Sequence, residues 1–292
     1  MKKIFAKLFK TKNLQSDNGY RLHIEPKIKE YVKIIKEKKE ISFLHYGHLG
    51  DIINSLPIIK EISKSKKCSL FIEKDKKIPD HVLKDHPFGK FFLSEKSISK
   101  LLPLLKNQRY LSNVEIYNRE NIDIDLNFFR ELPINFNTDS VRWYFHLTGI
   151  FPDLSNSYLD VENNNNFKKK IVIMRSLRRQ NKNIDYSFLN NYDDLLFVGL
   201  KEEYDILKQN LSKMEFHDSK DFLELASIIK NARIFIGNLS FGYALAEALK
   251  VPRLLESRPN FPLVYPNGEN AYDFYFQDHF ELHFKKIYYK TK

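Results

Sequence analysis

The segment from residue 231 to residue 256 restricts the fold of this chain more than any other stretch. An apolar run at 234–236 stops at Gly237 and Asn238, which is typical of a buried parallel strand that meets a loop. Ser240 can cap a following helix, in which apolar residues recur at helical spacing until Pro252 marks the end. The segment therefore predicts a strand, a loop, a helix and a second strand.

The start of that helix is a candidate anion site. Free backbone N–H groups and the helix dipole both attract negative charge, and ligands of open α/β sheets bind outside the carboxyl ends of the strands. We therefore predict a bound phosphate in contact with Gly237, Asn238, Ser240 and Phe241. The alternative is an ordinary strand–helix–strand unit with an empty loop.

Strands and helices alternate through the rest of the chain, which predicts an α/β fold with parallel sheets. The predicted strands lie at 41–46, 68–73, 114–117, 122–126, 171–174, 195–198 and 214–216, and the predicted helices at 98–105, 138–149, 202–211 and 220–230. Four consecutive asparagines at 163–166 predict a linker. We divide the chain into a basic helical segment (1–40), an N-terminal domain (41–162), a C-terminal domain (168–276) and a final helix (277–292).

The final helix raises a question of packing. Phe280, Phe284 and Ile287 share one helical face, because they are four and three residues apart. The segment before it, 261–276, is aromatic and predicted to be irregular. We predict that the helix at 277–289 crosses back to residues before 163 and so couples the two domains.

Composition limits the class of protein. A length of 292 residues with 42% hydrophobic residues is enough for two buried cores. The one cysteine, Cys68, excludes an internal disulfide and any multi-cysteine metal site, and favours a reducing cytoplasm. No apolar run is long enough for a transmembrane helix, so a soluble protein is expected.

The net charge of +11 should attract polyanions or acidic membranes. The lysines are dispersed and no nucleic-acid-reading motif accompanies them, so we expect no nucleic-acid partner. Residues 1–12 place apolar side chains on one helical face with lysines elsewhere. This pattern favours peripheral contact with an anionic membrane, which for a cytoplasmic protein would be the inner face of the membrane.

A second candidate site is Gly47-His48-Leu49-Gly50-Asp51, between a predicted strand and a helix. The glycines permit a tight turn and close approach of a ligand, and Asp51 falls in the first helical turn. Asp51 is either a general base that takes a proton from an attacking hydroxyl or a carboxylate that stabilises the helix dipole. His48 is a possible acceptor contact. A third glycine is missing, so the segment is not a dinucleotide fingerprint.

A third candidate is the basic loop after the strand at 171–174, which carries Arg175, Arg178, Arg179 and Lys182. The planar fork of arginine suits phosphate oxygens, while the alternative is a solvated basic loop.

Three further side chains are weaker candidates. Glu247 lies seven residues after Ser240, on about the same face of the helix, and either receives ribose hydroxyls or belongs to the polar face of the helix. His217 and Asp218 follow a short predicted strand.

Two of these segments resemble one known family. Residues 237–252, Gly-Asn-Leu-Ser-Phe-Gly-Tyr-Ala-Leu-Ala-Glu-Ala-Leu-Lys-Val-Pro, are similar to the donor-binding segment of the heptosyltransferase-like glycosyltransferases, whose pattern is Gly-Asn-Asp-Ser-Gly-Pro-Met-His-Leu-Ala-Ala-Ala-Leu-Gly-Val-Pro. The segment 47–51, with Pro57 after it, resembles the Gly-Asp and Pro signature near the N-terminus of that family. The chain differs at Leu239, Phe241 and Ala244, where the family has Asp, Gly and His.

This resemblance implies a GT-B fold, which consists of two facing Rossmann-like domains. It implies that the C-terminal domain holds a nucleotide sugar and that the N-terminal domain holds a glycan or glycolipid acceptor at Gly47, His48 and Gly50. It further implies an inverting transfer without metal or cofactor, in which Asp51 matches the family's base. Glu247 resembles the ribose-binding glutamate of other GT-B transferases.

Two other functions stay open from the sequence. One is a non-catalytic α/β protein that holds a nucleotide or a sugar phosphate, and the other is a polyanion-binding protein that uses the net positive charge.

Overall fold

The computed structural model describes residues 19–78, 90–259 and 264–291. The N-terminal half contains a four-stranded parallel sheet in the order β3-β2-β1-β4. Its strands are β1 (Glu40–His45), β2 (Lys67–Ile72), β3 (Asn113–Ile116) and β4 (Ile124–Asp125). Its helices are α1 (Glu25–Glu37), α2 (Leu49–Ser63), α3 (Glu95–Lys106) and α4 (Val141–Thr148).

The C-terminal half contains a six-stranded parallel sheet in the order β10-β9-β8-β5-β6-β7. Its strands are β5 (Ile171–Met174), β6 (Leu195–Val198), β7 (Glu215–His217), β8 (Ile234–Asn238), β9 (Arg253–Glu256) and β10 (Ala271–Phe274). Its helices are α5 (Lys201–Lys208), α6 (Phe222–Lys230), α7 (Phe241–Leu249) and α8 (Gln277–Lys290). Counted from β5, this strand order is that of a doubly wound dinucleotide-binding sheet. The predicted α/β class and parallel sheets are confirmed.

The strands of the C-terminal sheet are apolar on both faces, as a parallel sheet covered on both sides requires. In β5, Ile171 and Ile173 belong to one buried cluster while Val172 belongs to another. The cluster that includes Val172 also contains most of the N-terminal core, since α2 packs against α7 and α3 packs against α6. The two halves therefore share an apolar interface beneath the loops of the candidate site.

The described part of the predicted N-terminal segment packs onto the N-terminal half. Tyr31 of α1 is buried, and its hydroxyl donates a hydrogen bond to the backbone oxygen of Asp125 in β4. The amphipathic pattern at 1–12 lies outside the described residues. Within the described ranges, no helix is both long and apolar enough to cross a membrane.

The final helix corrects one prediction. As expected, α8 buries Phe280, Phe284 and Ile287, but the cluster around them is drawn entirely from residues 171–288 among those described. Phe280 stacks on Phe274 of β10 with ring centroids 4.2 Å apart. The predicted return to residues before 163 is therefore wrong.

The reason for this packing is a strand that the sequence did not reveal. We expected an irregular segment at 261–276, but Ala271–Phe274 forms β10, which extends the sheet beside β9. The helix that follows β10 covers the nearest uncovered face, which is the outer face of its own sheet. An apolar helical face specifies that a partner surface exists, and the chain connection decides which one it is.

Candidate active site

The predicted site segments lie at the carboxyl ends of strands where each sheet reverses its strand order. In the N-terminal sheet this point is between β1 and β4, and in the C-terminal sheet it is between β5 and β8. Ligands of open α/β sheets bind at such points. Helices α2 and α7 begin at these ends of β1 and β8, directly after the two predicted motifs, and pack against each other.

Gly47 lies too close to its neighbours for a larger residue. A Cβ atom there would be 2.7 Å from His45 Cε1, 2.9 Å from Asp51 Oδ2 and 2.9 Å from Arg130 Nη2. The Gly47 N–H donates to His45 Nδ1 at 2.9 Å, so His45 carries its proton on Nε2, 2.9 Å from the Tyr144 hydroxyl. Burial lowers the pKa of His45 well below its usual value, and this neutral histidine fixes the turn.

Gly50 is a contrast, because a Cβ atom there would meet no atom of the described residues within 4 Å apart from its chain neighbours and the backbone of its own helix. Protein packing therefore does not require a glycine at this position. Gly50 lies in the first turn of α2, one residue before Asp51.

Asp51 combines the two roles that the sequence left open. Its Oδ2 atom accepts hydrogen bonds from the His48 N–H at 3.2 Å and from Arg130 Nη2 at 3.3 Å. Its Oδ1 atom accepts none from the described residues, and the side chain is 20% exposed. Asp51 thus caps the start of α2 and still has one oxygen able to receive a proton.

The pKa of His48, in the N-terminal loop, depends on charges from both halves. Its ring meets Phe92 edge-on with centroids 4.9 Å apart. Burial lowers the pKa of His48, and the positive charges of Arg130, Arg178 and Arg179 lower it further, against the opposing effect of Asp51. Arginines from both halves therefore act on the same imidazole, which is neutral at neutral pH.

The basic loop after β5 forms a short 3-10 turn, Leu177–Arg179, which neighbouring elements hold in place. Asn238, fully buried at the end of β8, accepts from the Ser176 N–H at 2.9 Å and donates to the Ser176 backbone oxygen at 2.7 Å. Asn238 therefore fixes this loop to the start of the predicted phosphate segment.

Two more contacts hold the same turn. The Leu177 N–H donates to Glu203 Oε1 of α5 at 3.3 Å, and Arg258 Nη1, just after β9, donates to the Arg178 backbone oxygen at 3.1 Å. Burial raises the pKa of Glu203, although Arg178 opposes the shift. The backbone that carries Arg178 and Arg179 is therefore fastened by three other elements.

The start of α7 lies directly against β5. A Cβ atom on Gly237 would be 2.8 Å from the Met174 backbone oxygen, and one on Gly242 would be 2.2 Å from Met174 Sδ. Ser240 precedes the helix, and its hydroxyl is buried without a hydrogen bond to any described residue. Phe241 packs on Phe222 of α6 with centroids 4.6 Å apart.

Arg175 is not available to a ligand, which corrects its predicted role. Its guanidinium binds Glu256 through Nε at 2.6 Å and Nη2 at 3.0 Å, and Nη2 also donates to the backbone oxygens of Asn181 and Ile184. Glu256 is fully buried and also accepts from the Tyr186 hydroxyl at 2.8 Å. Arg175 therefore neutralises a buried carboxylate inside the C-terminal half.

Glu247 is likewise engaged in a structural network. Its Oε2 accepts from Arg253 Nε at 2.6 Å, and its Oε1 accepts from Lys250 Nζ and from the Asn267 N–H. Arg253 is fully buried. Both carboxylate oxygens thus face protein donors, which corrects the predicted ribose contact.

Two further predicted residues are Lys182 and His217. Lys182 is exposed. His217 lies on the edge strand β7. Its Nε2 atom is 3.2 Å from Glu224 Oε1, and its ring centroid is 4.8 Å from that of Phe167. Across the described ranges, no group of three or more His, Cys, Asp and Glu side chains is arranged to hold a metal ion.

Sequence reasoning missed Arg130, Glu203 and Arg258. Arg258 follows the carboxyl end of β9 and Arg130 follows β4, so position after a strand was an available signal. For Arg130 that signal was hidden by the apolar residues around it, and for Glu203 no local pattern exists.

No protein-family model and no curated protein matches the chain, but solved structures do. The heptosyltransferase WaaC of E. coli with ADP matches 85% of this chain and 99% of its own at a TM-score of 0.59 and 10% identity. The glycosyl transferase family 9 protein from Veillonella parvula DSM 2008 matches 85% and 89% at 0.55 and 13% identity. The chain has the GT-B fold.

The iron-containing dodecameric glycosyltransferase TibC from enterotoxigenic E. coli H10407 also shares this GT-B fold, with 80% of this chain and 61% of that one matched, a TM-score of 0.52 and 16% identity. The predicted fold is therefore confirmed. At such identities the likeness establishes the fold, and the activity must be argued from the site.

Proposed function

We propose that the protein is a glycosyltransferase that transfers a sugar from a nucleotide-diphosphate sugar to a hydroxyl of a glycan or glycolipid acceptor. The observation that carries the proposal is that a GT-B fold has two features at the candidate site. Asp51, a carboxylate with one oxygen that accepts no hydrogen bond from the described residues, is bound to the His48 N–H, and the charges of Arg178 and Arg179 from the other half lower the pKa of His48.

In the proposed reaction, Asp51 takes the proton of the acceptor hydroxyl through Oδ1. The acceptor oxygen forms a bond to the anomeric carbon of the donor, and the bond from that carbon to the diphosphate oxygen breaks. The nucleoside diphosphate leaves with the electron pair. A single displacement of this kind inverts the anomeric configuration.

The leaving diphosphate needs fixed positive charge, and we assign it to Arg178, Arg179 and the N-terminus of α7 at Ser240. Charged groups that are held in place before the reaction stabilise a transition state better than mobile ones, because they need no rearrangement as charge develops on the leaving group. The three contacts that fasten the basic turn fix the backbone that carries Arg178 and Arg179. On this basis we propose a metal-independent reaction without a cofactor.

The acceptor is assigned to the N-terminal edge of the site, at Gly47, His48 and Gly50. The space that a side chain would find at Gly50, the residue before Asp51, supports this assignment. Two structures of WaaC, one with ADP-2-deoxy-2-fluoro heptose and one with ADP, and one structure of TibC with ADP-D-β-D-heptose share this fold, which supports a nucleotide sugar as the donor class.

A panel of nucleotide sugars, assayed for release of nucleoside diphosphate with and without glycan acceptors, tests the proposal. Asp51→Asn should lower turnover by about 10²–10⁴-fold, the usual contribution of general acid–base catalysis. Asp221→Asn is a matched control, because Asp221 also caps a helix after a strand, here the helix α6 after the edge strand β7. Donor binding that raises the melting temperature without any turnover would indicate a binding protein and refute the proposal.

The basic turn is tested by binding. The double substitution Arg178→Ala and Arg179→Ala should weaken nucleoside diphosphate binding by about 1–3 kcal/mol for each charged hydrogen bond lost. Arg109→Ala removes an equal kind of charge from an exposed position in the N-terminal half and serves as the control. An unchanged affinity in the double variant would show that the turn does not contact the diphosphate.

A further inference from the structure

Arg130 binds Asp51 and belongs to none of the predicted motifs. It lies in the 3-10 helix Leu126–Glu131, directly after β4. Because β4 pairs with β1, this helix stands beside the loop that carries Gly47. Two parts of the chain thus meet at the point where the N-terminal sheet reverses its strand order.

The guanidinium of Arg130 is held in one orientation. Its Nη1 donates to Asn127 Oδ1 at 3.2 Å, and that oxygen also accepts from the Tyr46 N–H at 3.0 Å. Its central carbon lies 4.3 Å from the ring centre of Phe129, 5.0 Å from that of Phe92 and 5.6 Å from that of Tyr46. Aromatic faces attract a guanidinium charge, so these rings keep it beside the site while 29% of the side chain stays exposed.

The consequence for Asp51 is a fixed carboxylate. Arg130 Nη2 and the His48 N–H both bind Oδ2, and two donors on one oxygen oppose rotation of the group. Oδ1 is left as the oxygen without a donor from the described residues. A base is effective only when the atom that takes the proton is held in place, and Arg130 supplies one of the two contacts that hold it.

We propose that Arg130 is a positioning residue for the transfer reaction. By binding Asp51 Oδ2, Arg130 leaves Oδ1 as the oxygen that accepts the proton of the acceptor hydroxyl. The inference rests on the proposed function, since it assigns Arg130 a role only through Asp51. It separates Arg130 from Arg178 and Arg179, which are assigned to the leaving group.

The test is a double-mutant cycle between Arg130 and Asp51, read as kcat and as KM for donor and acceptor. Arg130→Gln should lower kcat by about 10–100-fold, the scale expected when a reacting group loses its alignment, with each KM changed by less than about threefold. Arg130→Lys should recover part of the loss, because an ammonium can still bind Oδ2. In the Asp51→Asn background, Arg130→Gln should change the residual rate by less than about threefold, because residues that act as a unit are not additive.

Arg142→Gln is the matched control, because Arg142 is an exposed arginine in the same half that also lies over an aromatic ring, that of Phe151. It should leave kcat unchanged. Melting temperatures of all variants report whether the fold is retained, and Arg130→Lys keeps the test valid if Arg130→Gln unfolds.

Three results would overturn the inference alone. Full kcat in Arg130→Gln would show that Asp51 needs no such partner. Equal losses in the wild-type and Asp51→Asn backgrounds would indicate a structural effect. A rise in the acceptor KM without a change in kcat would make Arg130 a binding contact. By contrast, a wild-type protein without turnover, or an Asp51→Asn variant with full turnover, refutes the proposed function and this inference with it.

Discussion

Asp139 offers a quantitative test of the interface between the two halves. It precedes α4 in the N-terminal half, and the amide nitrogen of Asn267, from the C-terminal half, donates to Asp139 Oδ2 at 3.4 Å. Burial, followed by repulsion from Glu247, raises the pKa of Asp139 from 3.8 to about 6. Hydrogen bonds from the Val141 N–H and Asn267 and the charge of Lys250 oppose the shift.

The direction of the effect on stability follows from proton binding. Between pH 3.8 and about 6 the folded protein binds more protons at Asp139 than the unfolded chain does. The free energy of unfolding must therefore fall as the pH rises through this range. A shift of about two units corresponds to at most about 3 kcal/mol, at 1.36 kcal/mol per unit. Because the group is only partly buried and solvent screens it, we expect about 1–2 kcal/mol.

Asp139→Asn removes this charge and keeps the shape and the acceptor oxygen. The variant should be more stable than the wild-type protein by that amount at pH 7.5 and equally stable at pH 4. Urea unfolding at pH 4, 5, 6 and 7.5 measures both curves. Asp153→Asn is the control with the opposite sign, because hydrogen bonds from Ser155 lower the pKa of Asp153 and its removal brings no gain at pH 7.5.

The reasoning would be refuted by either of two outcomes. A destabilised Asp139→Asn variant at pH 7.5 would mean that the charged form makes a favourable contact across the interface. A gain of equal size at pH 4 and pH 7.5 would mean that the effect does not come from the ionisation of Asp139.

Two further predictions concern the C-terminal half. Phe284→Ala should lower the free energy of unfolding in urea by about 3–5 kcal/mol, because the ring is fully buried in the cluster under α8. Leu282→Ala, at an exposed position on the same helix, should change it little. Equal effects of the two substitutions would contradict the packing of α8. Arg175→Gln should lower the free energy of unfolding by about 3–5 kcal/mol, because it leaves the buried carboxylate of Glu256 without the positive charge that neutralises it. In calorimetry, weaker nucleotide binding by a fully stable Arg175→Gln protein would return Arg175 to the donor site.

The sequence by itself determined most strands and helices of the chain and the position of both motif loops. The strands β5 and β6 were predicted with their observed bounds, because apolar runs between turn residues are local signals that the fold preserves. The same applies to the buried face of α8, since its period is a property of the helix itself. The strand β10 was not predicted, because its sequence Ala-Tyr-Asp-Phe, at the edge of the sheet, is not a continuous apolar run.

Only the tertiary structure decided which charged residues can reach a ligand. Arg175 and Arg178 look alike in sequence, yet Arg175 binds Glu256, 81 positions away, while the side chain of Arg178 is exposed on a turn that Arg258 holds. Asp51 receives its partner Arg130 from 79 positions away. A strand or a helix is encoded by neighbours along the chain, whereas the partner of a charge is set by how sheets and helices stack, and no local pattern records that distance.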